Sequence, residues 1–127
     1  MRTRVRYEVG FSDGEVRYYF REEGAFTVVV EAWNGALVRV AFDDPAGVCD
    51  TGVGDISDIC VEDAGSPFMS RVLGELYEVA PASHPYRLYQ FLNLDEQPAL
   101  EVVAAGITIS PFGPPSRAPG VDDEREG

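Results

Sequence analysis

The most distinctive chemical feature of the sequence is a group of seven carboxylates in the middle of the chain. No basic residue lies between Arg39 and Arg71, and the acids in that interval are Asp43, Asp44, Asp50, Asp55, Asp58, Glu62 and Asp63. Acids without basic neighbours produce a negative field that speeds encounter with a positively charged partner. We therefore predict that this acidic segment is a docking surface for a basic protein. The alternative interpretation is a solvated loop whose charge serves solubility.

Three shorter motifs also suggest chemistry, but each lacks a necessary part. Asp50, Asp55 and Asp58 offer the hard oxygen atoms that Ca²⁺ prefers, yet their spacing differs from that of an EF-hand loop. Ser83-His84 contains a nucleophile and a base, but adjacent residues of an extended chain point to opposite sides, and no Gly-x-Ser-x-Gly motif is present. Gly52-Val53-Gly54 lacks the lysine of a phosphate-binding loop. The sequence thus predicts no catalytic residue, no cofactor and no metal, and we expect a non-enzymatic protein.

The composition narrows the class of partner. The chain has 127 residues, of which 45% are apolar, and 22 acidic residues face 10 basic ones, all of them arginine, for a formal net charge of -12. This length and apolar content fit one domain with its own hydrophobic core. Nucleic acid is not expected as a partner. An acidic protein repels the phosphates, and its binding would release none of the counterions that are condensed on them.

The N-terminal residues and the cysteines suggest a compartment. Residues 1–20 contain no apolar stretch followed by a small-residue cleavage site, and no segment approaches the roughly 18 apolar residues of a membrane span. We therefore expect a cytoplasmic protein that does not act at a membrane. Cys49 and Cys60 are the only cysteines. Two reduced thiols are the expectation for that compartment, and a disulfide between them is the alternative.

The secondary structure that carries these residues is predicted to consist mostly of strands. Alternating apolar and polar residues predict strands at 4–11, 16–21, 25–33 and 36–42, which we expect to pair as consecutive hairpins. Asp13-Gly14 and Asn34-Gly35 are turn sequences between them, and Pro45 ends the fourth strand.

The second half of the chain predicts three more strands and one helix. The strands are expected at 56–62, 86–94 and 100–109. Ser66-Pro67 is typical of a helix start, and apolar residues at helical spacing predict a helix over 67–78 that packs through Phe68, Val72, Leu73 and Leu76. The expected fold is α+β, a twisted, mostly antiparallel sheet of about six to seven strands with one helix on one face.

The chain is expected to form one domain over residues 1–110, followed by a tail over residues 111–127. The tail is rich in proline, glycine and acids. Such a composition buries too little apolar surface to fold on its own. We therefore expect no contacts after about residue 115, and we leave the oligomeric state open.

Several short sequences, spread over residues 25 to 105, carry a resemblance to known proteins. They are Trp33-Asn34-Gly35, Phe42-Asp43-Asp44, His84-Pro85-Tyr86-Arg87-Leu88-Tyr89 and Leu100-Glu101-Val102-Val103-Ala104. Their order resembles that of small bacterial α+β proteins, some of which are immunity proteins of toxin systems. The resemblance implies an intracellular protein that binds a toxin domain and blocks it, and it transfers no catalytic residue.

Two other functions are compatible with the same sequence. One is a structural or assembly subunit that self-associates through edge strands and the tyrosines, since tyrosine offers rigid amphipathic contact area. The other is a small-molecule-binding domain with its site between sheet and helix.

Overall fold

Two five-stranded antiparallel sheets pack face to face, and one helix lies against the outer face of one of them. A computed structural model of the chain describes residues 2–63, 66–79 and 81–112. The strands are β1 (Arg2–Arg4), β2 (Gly14–Glu22), β3 (Ala25–Glu31), β4 (Leu37–Asp43), β5 (Gly47–Asp50), β6 (Asp55–Ile56), β7 (Asp58–Glu62), β8 (Arg87–Leu92), β9 (Pro98–Ala104) and β10 (Gly106–Pro111). Sheet A has the order β1-β7-β8-β9-β5, and sheet B has the order β10-β4-β3-β2-β6.

The core lies between the two sheets, as the period-two pattern of the strands requires. Alternate residues of β3 and β4 face alternate residues of β8 and β9. Phe42 lies near the centre, with its ring 5.1 Å from that of Tyr89 and 6.0 Å from that of Phe91. The predicted α+β class and the antiparallel pairing are confirmed, whereas the predicted single sheet of six to seven strands is wrong, because the described residues form ten strands in two sheets.

The first predicted hairpin is not formed. Residues 5–13 have no regular structure, and β1 pairs with β7 in sheet A instead of with β2. Asp13 does turn the chain, with a φ of 61°, and the Gly14 amide donates to the Phe11 carbonyl (3.0 Å). The alternation of residues 4–11 therefore has a cause other than a long strand: Val5, Tyr7 and Val9 pack against the core cluster from an irregular segment.

Two predicted strands are each divided between the sheets. The segment 56–62 breaks at Ser57, so that β6 belongs to sheet B and β7 to sheet A. The segment 100–109 breaks at Ala105 in the same way, between β9 and β10. Such corners let one chain segment close the end of a sandwich. The boundary expected at residue 110 falls within β10, and residues 113–127 of the predicted tail lie outside the described residues.

The helix α1 (Pro67–Leu76) begins where the sequence predicts. The Ser66 hydroxyl accepts a hydrogen bond from the Met69 amide (3.0 Å), and Pro67 occupies the first turn. Val72 is buried against Leu88 and Val103 on the outer face of sheet A, with Phe68 beside it. The expected contact of Leu76 is wrong, because its side chain is 44% exposed. The helix ends at Leu76 and so does not reach residue 78.

Candidate functional site

The acidic segment, residues 43–63, is for the most part not a loop. It contains the end of β4 and the whole of β5, β6 and β7. Because β5 and β7 belong to sheet A while β6 belongs to sheet B, these strands distribute the seven carboxylates over both sheets. Their surroundings divide them into three groups.

The first group consists of Asp58 and Glu62 on β7, which lie beside arginines of β1. The Arg4 Nε is 2.5 Å from an oxygen of Asp58, and the Arg2 Nε is 3.6 Å from an oxygen of Glu62. Both carboxylates are partly buried, with side chains 18% and 16% exposed. The arginine side chains are more exposed, 73% for Arg4 and 38% for Arg2, so salt still screens both pairs in part. Arginines that are remote in the sequence therefore neutralise this end of a segment that contains none.

The second group consists of Asp50 and Asp44, each of which accepts a hydrogen bond from a tyrosine. The Tyr19 hydroxyl donates to Asp50 (2.6 Å), and the Tyr86 hydroxyl donates to Asp44 (3.1 Å). Both aspartates are exposed. Because a phenol is neutral at pH 7, each carboxylate keeps its full negative charge while its position is fixed.

Asp50 is held more firmly than Asp44. Its second oxygen accepts from the amides of Gly52 (2.8 Å) and Val53 (2.9 Å), an arrangement that shapes the turn after β5. Burial alone would raise the pKa of Asp50, but the bonds from Tyr19 and the two amides outweigh it, so that this pKa lies below its ordinary value. The same contact raises the pKa of Tyr19. The pair thus consists of a carboxylate and a protonated phenol over a wide range of pH.

The geometry around Asp44 depends on the turn between the sheets. Asp44 has a φ of 49°, and its amide donates to the Gly24 carbonyl (3.0 Å), which fixes the corner between β4 and β5. Burial and the hydrogen bond to Asp44 raise the pKa of Tyr86. Asp44 precedes β5 and Asp50 ends it, so that the two carboxylates flank an edge strand of sheet A.

The remaining three acids of the segment, Asp43, Asp55 and Asp63, are exposed. Asp43 lies next to Asp44, and Asp55 lies opposite Glu15 in the pairing of β6 with β2. The structure therefore brings Asp43, Asp44 and Asp50 to the two ends of β5, and it places Asp58 and Glu62 elsewhere, beside β1.

The two tyrosines of this site are residues that sequence reasoning missed as partners of the acids. Tyr19 and Asp50 are 31 positions apart, and Tyr86 and Asp44 are 42 positions apart. Neither pairing has a local signal, since each joins residues of different elements. The only hint in the sequence is the number of tyrosines, which we interpreted as contact area in general.

The structure also places the two cysteines and the Ser83-His84 motif. Cys49 and Cys60 are free thiols, and the pairing of Cys60 with Gln90, of Gln90 with Glu101 and of Glu101 with Cys49 puts three strand spacings between them, about 14 Å, too far for a disulfide. The His84 Nδ1 accepts from the Tyr86 amide (3.2 Å). Within the described ranges, no three His, Cys, Asp or Glu side chains lie together so that they could hold a metal ion.

Comparison of the chain with protein-family models, with curated proteins and with solved structures gives no match. The resemblance to immunity proteins therefore stays a prediction. The one helix in the described part of the chain is too short to cross a membrane.

Proposed function

We propose that this protein is a non-enzymatic binding module and that its partner is a basic protein. The observation that carries the proposal is the pair of exposed aspartates held by tyrosine hydroxyls at the two ends of β5. A basic partner would meet carboxylates whose positions are already fixed, and association would order few side chains. The formal net charge of -12 supports the same conclusion, because it attracts such a partner at long range.

Tyrosine next to a carboxylate suits the recognition of arginine in particular. The carboxylate accepts from the guanidinium group, while the aromatic ring offers a flat surface on which that group stacks. Tyr19 is 38% exposed and already donates to Asp50, so both parts of such a contact are present at one place. Asp43 adds a second charge next to Asp44.

An immunity-type inhibitor of a bacterial toxin is the particular form of this function that we propose. A toxin that acts on nucleic acid needs a basic cleft, and an acidic protein can fill such a cleft at electrostatically assisted rates. A toxin encoded next to this gene is accordingly the first partner to test.

The test compares two variants of equal charge. The first carries Asp43→Asn, Asp44→Asn, Asp50→Asn and Asp55→Asn, and the second carries Glu8→Gln, Glu23→Gln, Glu75→Gln and Glu78→Gln, which are exposed acids outside the segment. Asparagine at position 50 retains an oxygen for the Gly52 and Val53 amides, so the turn is preserved. Association rates with the adjacent toxin, and with an unrelated small basic protein as reference, are measured over a salt series.

We expect the first variant to associate with the toxin on the order of ten-fold more slowly than the second, with a weaker salt dependence. Equal rates for the two variants would mean that net charge alone matters and would refute the proposed surface. Absence of binding to the toxin would refute the immunity-type form.

A second candidate function, self-association, is favoured by the outer face of sheet B. Tyr18 is 50% exposed there, and its ring lies 6.2 Å from that of Phe20 and 6.3 Å from that of Phe112. Exposed aromatic clusters are typical of protein interfaces. Light scattering over a concentration series tests this candidate, which a constant monomer mass would exclude.

A further inference from the structure

A cavity of about 610 Å³ lies between the N-terminal segment and β7, near the edge of sheet A that is opposite β5. Its lining includes Arg2, Arg4 and Arg6, three of the ten basic residues of this acidic chain. The cavity is within the usual range for small-molecule sites, roughly 300–1,000 Å³. It borders β1, β7 and the end of β8, and so it differs from the helix–sheet contact at which the alternative small-molecule function would place a site.

The three arginines have different partners. Arg4 is paired with Asp58, and Arg2 donates to Gln90 (3.0 Å) as well as lying beside Glu62. Arg6 makes no ion pair with any residue that the structure describes. One further acid, Glu96, lines the cavity together with Asp58. The lining thus carries three arginines and two acids, and Arg6 is the arginine among them that forms no ion pair with an acid of the described residues.

The rest of the lining combines hydroxyl groups with apolar walls. Ser12 and Ser57 carry hydroxyls, and Tyr7 is stacked on Phe11 with the ring centroids 6.1 Å apart. Leu92 and Val5 complete the apolar part. Charged and hydroxyl-bearing side chains thus share the lining with apolar ones, so that a ligand with one oxyanion and an organic part would find a partner for each.

We propose that this cavity binds a small organic molecule through an oxyanion, a phosphate or a carboxylate, that Arg6 receives. Arginine presents several N–H donors in a planar fork that matches both kinds of oxyanion. The volume exceeds what an inorganic ion needs, and the ring of Tyr7 and the side chain of Leu92 are placed to contact the organic part. The inference is independent of the proposed protein partner, since no residue of the two Tyr–Asp pairs lines the cavity.

The position of the cavity explains how an acidic protein can hold an anion. The arginines of the chain are concentrated near its N-terminus, and β1 brings two of them to the edge of sheet A. At physiological ionic strength, charges more than about 8 Å away are largely screened, so that the acids elsewhere in the chain have little effect on Arg6, the arginine of the lining that makes no ion pair with a described residue.

The experiment is an NMR titration of the ¹⁵N-labelled protein with four probes. Inorganic phosphate and citrate test the two kinds of oxyanion, and adenosine monophosphate is compared with adenosine, which lacks the phosphate. The amides of Tyr7, Gly10 and Ser57 report on the cavity. Each titration is repeated with Arg6→Gln and with Arg87→Gln, an exposed arginine outside the lining that serves as the charge-matched control.

We expect at least one of phosphate, citrate and adenosine monophosphate to shift these amides. We also expect Arg6→Gln to weaken that binding on the order of ten-fold, the loss of one charge-assisted hydrogen bond, with little effect of Arg87→Gln. Binding of citrate alone identifies a carboxylate ligand, and binding of phosphate or adenosine monophosphate alone identifies a phosphate ligand. The proposal is overturned if none of the three anions shifts the amide signals. It is also overturned if adenosine binds as tightly as adenosine monophosphate while citrate and phosphate do not bind, or if Arg6→Gln and Arg87→Gln lose the same amount of affinity.

Discussion

At the scale of single residues, the Tyr19–Asp50 pair links the pH dependence of stability to the proposed binding surface. The pKa of Asp50 is lowered, so its contribution to stability is present above the ordinary aspartate pKa and is lost as the pH falls through the lowered value. The pKa of Tyr19 is raised, so its contribution is present below the ordinary tyrosine pKa and is lost as the pH rises through the raised value. The pair therefore stabilises the fold between about pH 4 and about pH 10.

Replacing Tyr19 by phenylalanine should remove that contribution. We expect Tyr19→Phe to lower the free energy of unfolding at pH 7 by less than about 1 kcal/mol, since the hydrogen bond is exposed to solvent. The difference from the unmodified protein should shrink as the pH falls below the ordinary aspartate pKa, and it should disappear once the pH lies below the lowered pKa of Asp50. Urea unfolding curves at a series of pH values measure both effects.

Tyr18→Phe is the matched control. Tyr18 is exposed to a similar degree as Tyr19, but its hydroxyl makes no hydrogen bond within the described residues. A stability difference for Tyr19→Phe that stays the same as the pH falls from 7 through the lowered pKa of Asp50 would show that the hydroxyl acts independently of Asp50.

At the scale of elements, the docking of α1 on sheet A depends on a glycine. A Cβ atom at Gly47 of β5 would lie 2.6 Å from a methyl carbon of Val72, closer than two such atoms can approach. The absence of a side chain at position 47 thus lets Val72 enter the outer face of sheet A, where it packs with Leu88 and Val103. The short strand β5, which also carries Asp50 at its end, is held between this helix and β9.

We expect Gly47→Ala to destabilise the protein by about 1–3 kcal/mol, because either the helix or β5 must shift. Gly74→Ala in the helix itself is the control: nothing lies within 4 Å of the added carbon, and alanine favours a helix by up to about 1 kcal/mol over glycine. In thermal unfolding, Gly47→Ala should therefore lower the melting temperature, and Gly74→Ala should raise it. A stable Gly47→Ala protein would mean that the helix can move away without cost.

At the scale of the whole molecule, the C-terminal end of the described chain contributes to sheet B. The Phe112 amide donates to the Leu37 carbonyl (3.0 Å), and the Phe112 ring contacts Tyr18. The composition of the following residues, by contrast, predicts that they contribute little to stability.

Two truncations test this boundary. Removing residues 115–127 should leave the melting temperature nearly unchanged, whereas removing residues 111–127 should lower it by several degrees, because about 1 kcal/mol corresponds to roughly 4–8 °C for a domain of about this size. A loss of several degrees on the shorter truncation would contradict the assignment of the tail, and an unchanged value on the longer one would contradict the role of Phe112.

Several local features of this fold can be predicted from the sequence, because they depend on residues that are close together in the chain. Alternation predicted the strands 16–21, 25–33 and 36–42 to within a few residues, because a strand with one buried face needs an apolar residue at every second position. Asn34-Gly35 and Ser66-Pro67 predicted a turn and a helix start, because their backbone angles and hydrogen bonds are local. The acidic segment was also evident, since charge is a property of composition.

The partners of these elements cannot be predicted in the same way, because they depend on contacts between residues that are far apart in the chain. Alternation shows that one face is buried but does not identify the neighbouring strand. The sequence therefore predicts that residues 4–11 pair with the strand at 16–21, whereas β1 pairs with β7. The corners at Ser57 and Ala105 depend on the closing of two sheets around a common core, which no local pattern encodes. The partner of each of these acids follows from the way the strands pair. Strand β1 brings arginines to Asp58 and Glu62. Tyr19 and Tyr86, which are far away in the sequence, donate hydrogen bonds to Asp50 and Asp44.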